Sequence, residues 1–193
     1  KWNDPAIVAD NARVREIPVY EVKNGKPVLD ANGAPTVKSY RKLSIPFTLP
    51  DKSIYVLYRS GNSGTSENFT KALNGAAPTI WTKATNDAFD TAFPGTVPTD
   101  GSFVAAQGND GVANGVMGKD GGIGYAEVSF VNERQTAGKP IVSAKIQNGA
   151  GEFLAGSSAG ASLAVGAAEV NSTTGIVTFN YANTVAGAYP ITA

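Results

Sequence analysis

Apolar residues fall into short runs divided by Gly, Pro, Asn and Asp, and the period of those runs changes along the chain. Asn3-Asp4-Pro5 offers a capping side chain followed by Pro at a first helical position, which predicts a short helix over Pro5–Asn11. Val14–Val22 alternates apolar and polar positions and reads as a strand. Asn24-Gly25 and Asn32-Gly33 are hairpin signals, because both residue types tolerate positive φ. The stretch from about Tyr20 to Tyr40 therefore reads as a protruding meander of short strands, polar enough to lie on the surface. Ser53–Tyr58 is almost continuously apolar, as a parallel strand covered on both faces would be. Phe69, Ala72 and Leu73 share one face at helical spacing, predicting a helix over Glu67–Leu73.

Beyond this the pattern keeps alternating. Residues 74–101 are broken by Pro, with a helix near Ala84–Phe93. Strands are predicted at Ser102–Ala106, Gly121–Tyr125, Pro140–Ile146 and Gly175–Asn180. Helices are predicted from Gly108 through Met117, over Ala126–Gln135 and over Ser157–Glu169. Strands alternating with helices of about ten residues predict an α/β fold with an open mixed sheet flanked by helices.

Composition narrows the chemistry. The 193 residues suit one domain, and sixteen basic and sixteen acidic side chains cancel to a formal net charge of +0. Neutrality argues against nucleic acid or an acidic membrane as partner, since both require a basic surplus. With no Cys there is no disulfide, thiol nucleophile or Cys-zinc site, and with no His the commonest general base and metal ligand are both missing. Ser-His-Asp hydrolysis and zinc hydrolysis are thereby excluded. No run approaches the roughly 18 apolar residues of a membrane span, and the first residues do not read as a signal peptide. The absence of an initiator Met suggests a mature product or an excised piece.

The most informative segment is the loop Arg59-Ser60-Gly61-Asn62-Ser63-Gly64-Thr65-Ser66, which joins a predicted strand to a predicted helix. It supplies a permanent cation, hydroxyls, and helix-terminal N–H groups that lack intrahelical partners, an environment suited to an oxyanion. Arg59 adds a planar, bidentate donor. The plainer reading is that Ser63 or Thr65 simply caps the helix. No Gly-Lys-Ser/Thr follows, so the loop is not a Walker loop, and its glycine spacing is not that of a nucleophile elbow.

With Asn68-Phe69-Thr70 after it, this loop resembles the phosphate-binding loop of the phosphate-specific substrate-binding proteins of bacterial ABC transporters. Three further stretches resemble that family in the same order: Lys1-Trp2-Asn3-Asp4-Pro5-Ala6-Ile7, then Gly108–Ala113 with Gly122–Glu127, then Tyr189-Pro190-Ile191. The resemblance implies a periplasmic-binding-protein-like fold of type 2. Residues 1–193 would form its second lobe alone, with an insertion at about 20–42. It implies that Arg59 binds phosphate oxygens, that Ser63 and Thr65 donate hydrogen bonds, and that Gly64 offers its N–H. The family's acidic residue two positions after the Arg is here Gly61. A first lobe, in the same or another chain, and a membrane permease are the implied partners. The implied location is outside the cytoplasm of a bacterium: periplasmic, lipid-anchored or on the cell surface.

Other residues have plainer expectations. Asn109 and Asp110 read first as helix caps and second as ligand or lobe contacts. Glu127 and Glu133 read as a solvated helix face, and Trp2, Trp81, Phe69, Phe89 and Phe93 as core. The expected function is capture of phosphate or a similar oxyanion, with no catalysis, metal or cofactor. The alternative is a structural or adhesive domain of a larger cell-surface protein or assembly that reuses the fold.

Overall fold

The computed structural model describes residues 1–11, 14–31, 33, 35–44, 48–175, 177–178, 185–189 and 191. It divides into two compact units, Lys1–Ser53 and Ile54–Ala193.

In the first unit, α1 (Pro5–Asn11) starts where the capping pattern places it. Asp4 Oδ1 accepts from the Ala6 N–H at 2.9 Å, satisfying a donor that the helix leaves open. The chain continues through β1 (Val14–Tyr20), β2 (Val22–Lys23), β3 (Lys26–Pro27) and β4 (Val37–Ser44). β1 and β4 form an antiparallel ribbon from Val14 opposite Ser44 to Tyr20 opposite Val37, with a register shift between Val19 and Tyr20. β2 and β3 meet at Asn24 and Gly25, whose φ values of 52° and 74° are those of the two-residue turn the sequence predicts. Gly33 also has positive φ, while Asn32 lies outside the described residues. The predicted meander of short strands differs in one respect. Pairing with β1 carries β4 through eight residues to Ser44, beyond the expected end near Tyr40. Val22, Leu29 and Tyr40 are each more than half exposed.

The second unit holds the parallel sheet. β5 (Tyr55–Arg59) leads through α2 (Gly64–Ala76) and α3 (Phe89–Ala92) to β6 (Phe103–Ala106). The chain then passes through α4 (Gly108–Gly118) to β7 (Gly122–Gly124) and α5 (Val128–Thr136). β5 pairs parallel with both neighbours, giving the order β6-β5-β7. The first strand is thus the middle one, and the chain reverses direction across the sheet. Open parallel sheets form a crevice beyond the strand C-termini at such a reversal.

The core follows from the sequence pattern. Leu57 in β5, Val112 and Ala113 in α4, and Phe89 and Ala92 in α3 are almost fully buried. Gly124 allows β7 to approach β5, since a Cβ there would lie 2.8 Å from the Leu57 carbonyl oxygen and 2.9 Å from a Val112 methyl. Tyr58 stacks on Phe89 at 4.8 Å and Phe69 on Tyr125 at 4.2 Å, while Phe93 meets Phe103 at 5.2 Å. These rings secure the irregular segment between α2 and β6. The helix expected over Ala84–Phe93 is only the single turn α3, because Thr70 ties the preceding backbone to α2: its hydroxyl donates to Asn86 O and accepts from the Asn86 N–H.

Further along, the strand expected over Pro140–Ile146 is replaced by β8 (Ile146–Gln147), which pairs with β9 (Phe153–Leu154) across a turn at Asn148. Pro140 supplies no N–H for a ladder, and Val142 is 83% exposed, so nothing holds 141–145 as a strand. Glu152 accepts from the Gly187 N–H at 2.6 Å and from Asn148 Nδ2 at 3.0 Å, which hold its carboxyl below the ordinary glutamate range. α6 (Ser158–Gly166) begins at its Ser157 cap but ends before the expected Glu169. The chain instead turns into β10 (Glu169–Val170), paired with β11 (Val177–Thr178). The remainder of the strand expected at Gly175–Asn180, at 176 and 179–180, lies outside the described residues. Among the described residues no helix is long and apolar enough to cross a membrane.

Candidate functional site

The C-terminal end of β5 brings Arg59 to the mouth of the sheet crevice. The chain then turns at Gly61, whose φ is 70°, and enters α2 at Ser63. Ser63 is the N-cap: its Oγ accepts from the Ser66 N–H at 3.4 Å, and its own N–H is held by Asp87 O at 2.9 Å. The capping reading of Ser63 is therefore realised. Capping occupies an acceptor lone pair and leaves the hydroxyl hydrogen available. Gly64 and Thr65, the first two residues of α2, keep N–H groups that a helix cannot satisfy internally, and the helix dipole adds partial positive charge there.

Arg59 is held from two directions. Its Nη1 donates to Thr65 Oγ1 at 3.2 Å and to Asn109 Oδ1 at 3.1 Å. Its Nε is buried without an acceptor among the described residues. A buried donor of this kind costs about 1–3 kcal/mol unless something accepts from it. The Arg59 backbone N–H donates to the Tyr125 hydroxyl at 3.2 Å, and that hydroxyl also bonds the buried Ser66 Oγ at 2.7 Å. Burial pushes the Tyr125 phenol above its ordinary value, against the opposing effect of these two hydrogen bonds.

The structure thus brings Arg59 and Thr65 into direct contact, with Ser63 and Gly64 adjacent at the helix start. Two residues from other stretches of the chain join them. Asn109, expected first as a cap, is buried inside the first turn of α4. No side chain caps that helix, and the Asn109 amide bridges Arg59 to Glu127, donating from Nδ2 to Glu127 Oε1 at 2.8 Å. Glu127 is exposed, as expected of a solvated face, and it also takes the Thr65 hydroxyl at 3.4 Å, while its N–H reaches Asn109 Oδ1 at 3.4 Å. Glu133 is exposed and has no part in this network. Asp110 pairs with Arg134 at 2.7 Å and joins α4 to α5 instead. The signal that would have found Asn109 and Glu127 is topological: each follows a strand of the parallel sheet closely, where α/β ligand sites collect.

Thr65 and Glu127 also line a cavity of about 1020 Å³ whose other walls include Phe69, Leu73, Val112 and Ile141. Apolar walls lower the local dielectric and strengthen polar contacts made beside them. Chemically, the cluster can present an Arg guanidinium, hydroxyls and helix-terminal N–H groups to one anion. Among the described residues no group of three or more His, Cys, Asp or Glu could hold a metal ion.

Similarity to known proteins extends over nearly the whole chain. A family model described as PBP superfamily domain matches residues 2–193. Phosphate-binding protein PstS 2 of Mycobacterium tuberculosis is 37% identical over 103 residues, covering 53% of this chain and 24% of that protein. Phosphate-binding protein PstS of Pasteurella multocida is 30% identical over 154 residues, 80% of this chain and 31% of that protein. A solved high-affinity periplasmic phosphate-binding protein, with phosphate bound, aligns over 88% of this chain and 52% of its own at 22% identity and a TM-score of 0.49. The chain therefore matches a quarter to a third of the length of these two curated relatives.

Proposed function

The chain belongs to the PBP superfamily domain family, and from that premise we propose that it is the oxyanion-binding module of an exported solute-binding protein, with inorganic phosphate as its ligand. The observation that carries this reading is the Arg59–Thr65 contact at the open N-terminus of α2, in the crevice where the parallel sheet reverses. The guanidinium, the Ser63 hydroxyl and the Gly64 and Thr65 N–H groups are neighbours there, so in this reading a tetrahedral anion meets several donors at once, the Thr65 hydroxyl turning to it from Glu127. Relatives named as phosphate-binding proteins support phosphate as the anion and favour binding over a structural or adhesive role.

In this reading residues 1–193 form the second lobe of a two-lobed clamp and perform no catalysis. The first lobe supplies the remaining ligand contacts, capture favours closure of the lobes, and a membrane permease of the ABC type receives the anion. The protein works outside the cytoplasm, as periplasmic, lipid-anchored or surface-bound modules do. A single lobe leaves the anion facing water, where each contact is weaker. Dissociation constants near millimolar, about −4 kcal/mol, are therefore expected for this chain alone.

Calorimetric or phosphorus NMR titration with phosphate, beside Arg59→Ala, tests the proposal. Saturable binding weakened at least about tenfold in the variant supports it, that being the worth of one charge-assisted hydrogen bond. Equal binding by both proteins would place the anion elsewhere.

A further inference from the structure

The formal neutrality that argues against an acidic partner holds only for the chain taken whole. Lys1–Ser53 carries nine basic and six acidic side chains, whereas Ile54–Ala193 carries seven and ten. The surplus sits on the ribbon, where six basic residues stand against three acidic ones between Val14 and Ser44. Lys23, Lys26, Lys38, Arg41 and Lys42 are all exposed. Large apolar and aromatic side chains lie among them: Val22 and Tyr40 are 61% exposed, Leu29 57% and Tyr20 44%. The register places Tyr20 opposite Val37 and Tyr40 opposite Pro18, two residues before Tyr20 on the same strand, so both tyrosines fall on one face. Main-chain bonds continue past the two long strands. The Glu21 N–H donates to Thr36 O and the Val28 N–H to Glu21 O, each at 2.8 Å. Backbone pairing thus shapes the ribbon without drawing on these side chains.

We propose that the ribbon is a membrane-contact surface, which seats its tyrosines and aliphatic residues at the interface of an anionic lipid bilayer and sets its basic side chains on the headgroups. Lys on a strand edge also guards against edge-to-edge pairing, but that role needs charge alone and leaves the exposure of Val22, Leu29 and the two tyrosines unexplained. A soluble polyanion would use only the charge as well. A bilayer uses both kinds of side chain. Tyr rings rest at headgroup level, aliphatic groups reach the acyl boundary, and Lys and Arg lay their stems along apolar surface while their charges stay at the phosphates. Each basic residue near an anionic surface strengthens partitioning about fivefold. Arg59, Ser63, Gly64 and Thr65 lie outside the ribbon, so bilayer docking and phosphate capture are separate properties.

The test sediments sucrose-loaded vesicles with the wild-type chain, with Arg41→Ala/Lys42→Ala and with Leu29→Ser/Tyr40→Ser. One set of vesicles is phosphatidylcholine alone, and the other is phosphatidylcholine and phosphatidylglycerol in equal parts. The wild type is expected on the anionic vesicles and not on the neutral ones, with binding that falls as salt rises. The basic pair should lose at least about tenfold in partitioning and the apolar pair at least about fivefold. Urea unfolding midpoints of both variants should match the wild type, which separates lost docking from lost folding. Failure of the wild type to sediment with anionic vesicles overturns the proposal and leaves phosphate capture untouched. Full binding by the apolar pair overturns it too, marking a charge-only contact of the kind a soluble polyanion makes.

Discussion

The ribbon of β1 and β4 and the mouth of the parallel sheet are built on opposite principles. The ribbon is held by a main-chain ladder, and Tyr40, Val22 and Leu29 around it are largely in solvent. The sheet mouth is held by side chains, with Arg59, Thr65, Asn109 and Glu127 joined across three separate stretches of chain. A ladder ignores side-chain identity as long as the backbone can extend. Removing one member of a side-chain network strips hydrogen bonds from its partners, at a cost that grows with their burial. Sequence should therefore matter far more at the sheet mouth and the core beneath it than in the ribbon.

That contrast can be broken by substitution. The largest effect is expected beneath the site, where Leu57→Ala should cost about 3 kcal/mol by opening a cavity against Val112 and Gly115. Urea unfolding measures it, and a loss under about 1 kcal/mol would mean the sheet is loosely packed. Asn109→Ala should cost less, about 1.5 kcal/mol. Losing charge-assisted hydrogen bonds to the half-buried Arg59 and the exposed Glu127 costs about 2, and the better helix propensity of Ala returns about 0.5. The same variant should lose phosphate affinity, a result that a mere helix-capping residue would not give. Tyr125→Phe removes two hydrogen bonds at once and should cost about 1–2 kcal/mol. Tyr40→Ser in the ribbon should stay within about 0.5 kcal/mol of the parent, and a larger loss would show that the ribbon depends on its side chains after all.

Tyr125 also gives a pH signature with a definite sign. Its phenol titrates above the reference value of 10.0 in the folded protein, mainly through burial. The native state then holds this proton more tightly than the unfolded chain does. The associated stability is complete below pH 10.0 and is lost as pH rises through the folded value. Unfolding in urea at stepped alkaline pH should show that decline, and Tyr125→Phe should flatten it.

What could be read from the sequence followed from distance along the chain. Arg59, Ser63, Gly64 and Thr65 lie within one loop, so their convergence needs only a strand-to-helix turn, and the pattern gave that turn directly. The turn at Asn24-Gly25 was equally local. Asn109 and Glu127 reach Arg59 and Thr65 only because β5 pairs with both β6 and β7, and no local pattern encodes that pairing. Read singly, an Asn at a helix start is a cap and a Glu at a helix start is a surface charge. The strand expected over Pro140–Ile146 failed for a different reason: its apolar residues had no neighbouring strand, while Asn148-Gly149 just beyond it marked the real hairpin.

The strand order β6-β5-β7 also sets a schedule. On the ribosome the central strand emerges first, without either of its flanking strands. At about 5–20 residues per second, Arg59 waits roughly 3–14 s for the about 70 residues that end in Glu127. Through that interval Arg59 lacks its partner Asn109 until the strand before it is made, and Asn109 lacks Glu127 until the next. The network is complete only when all three strands of the sheet have been made.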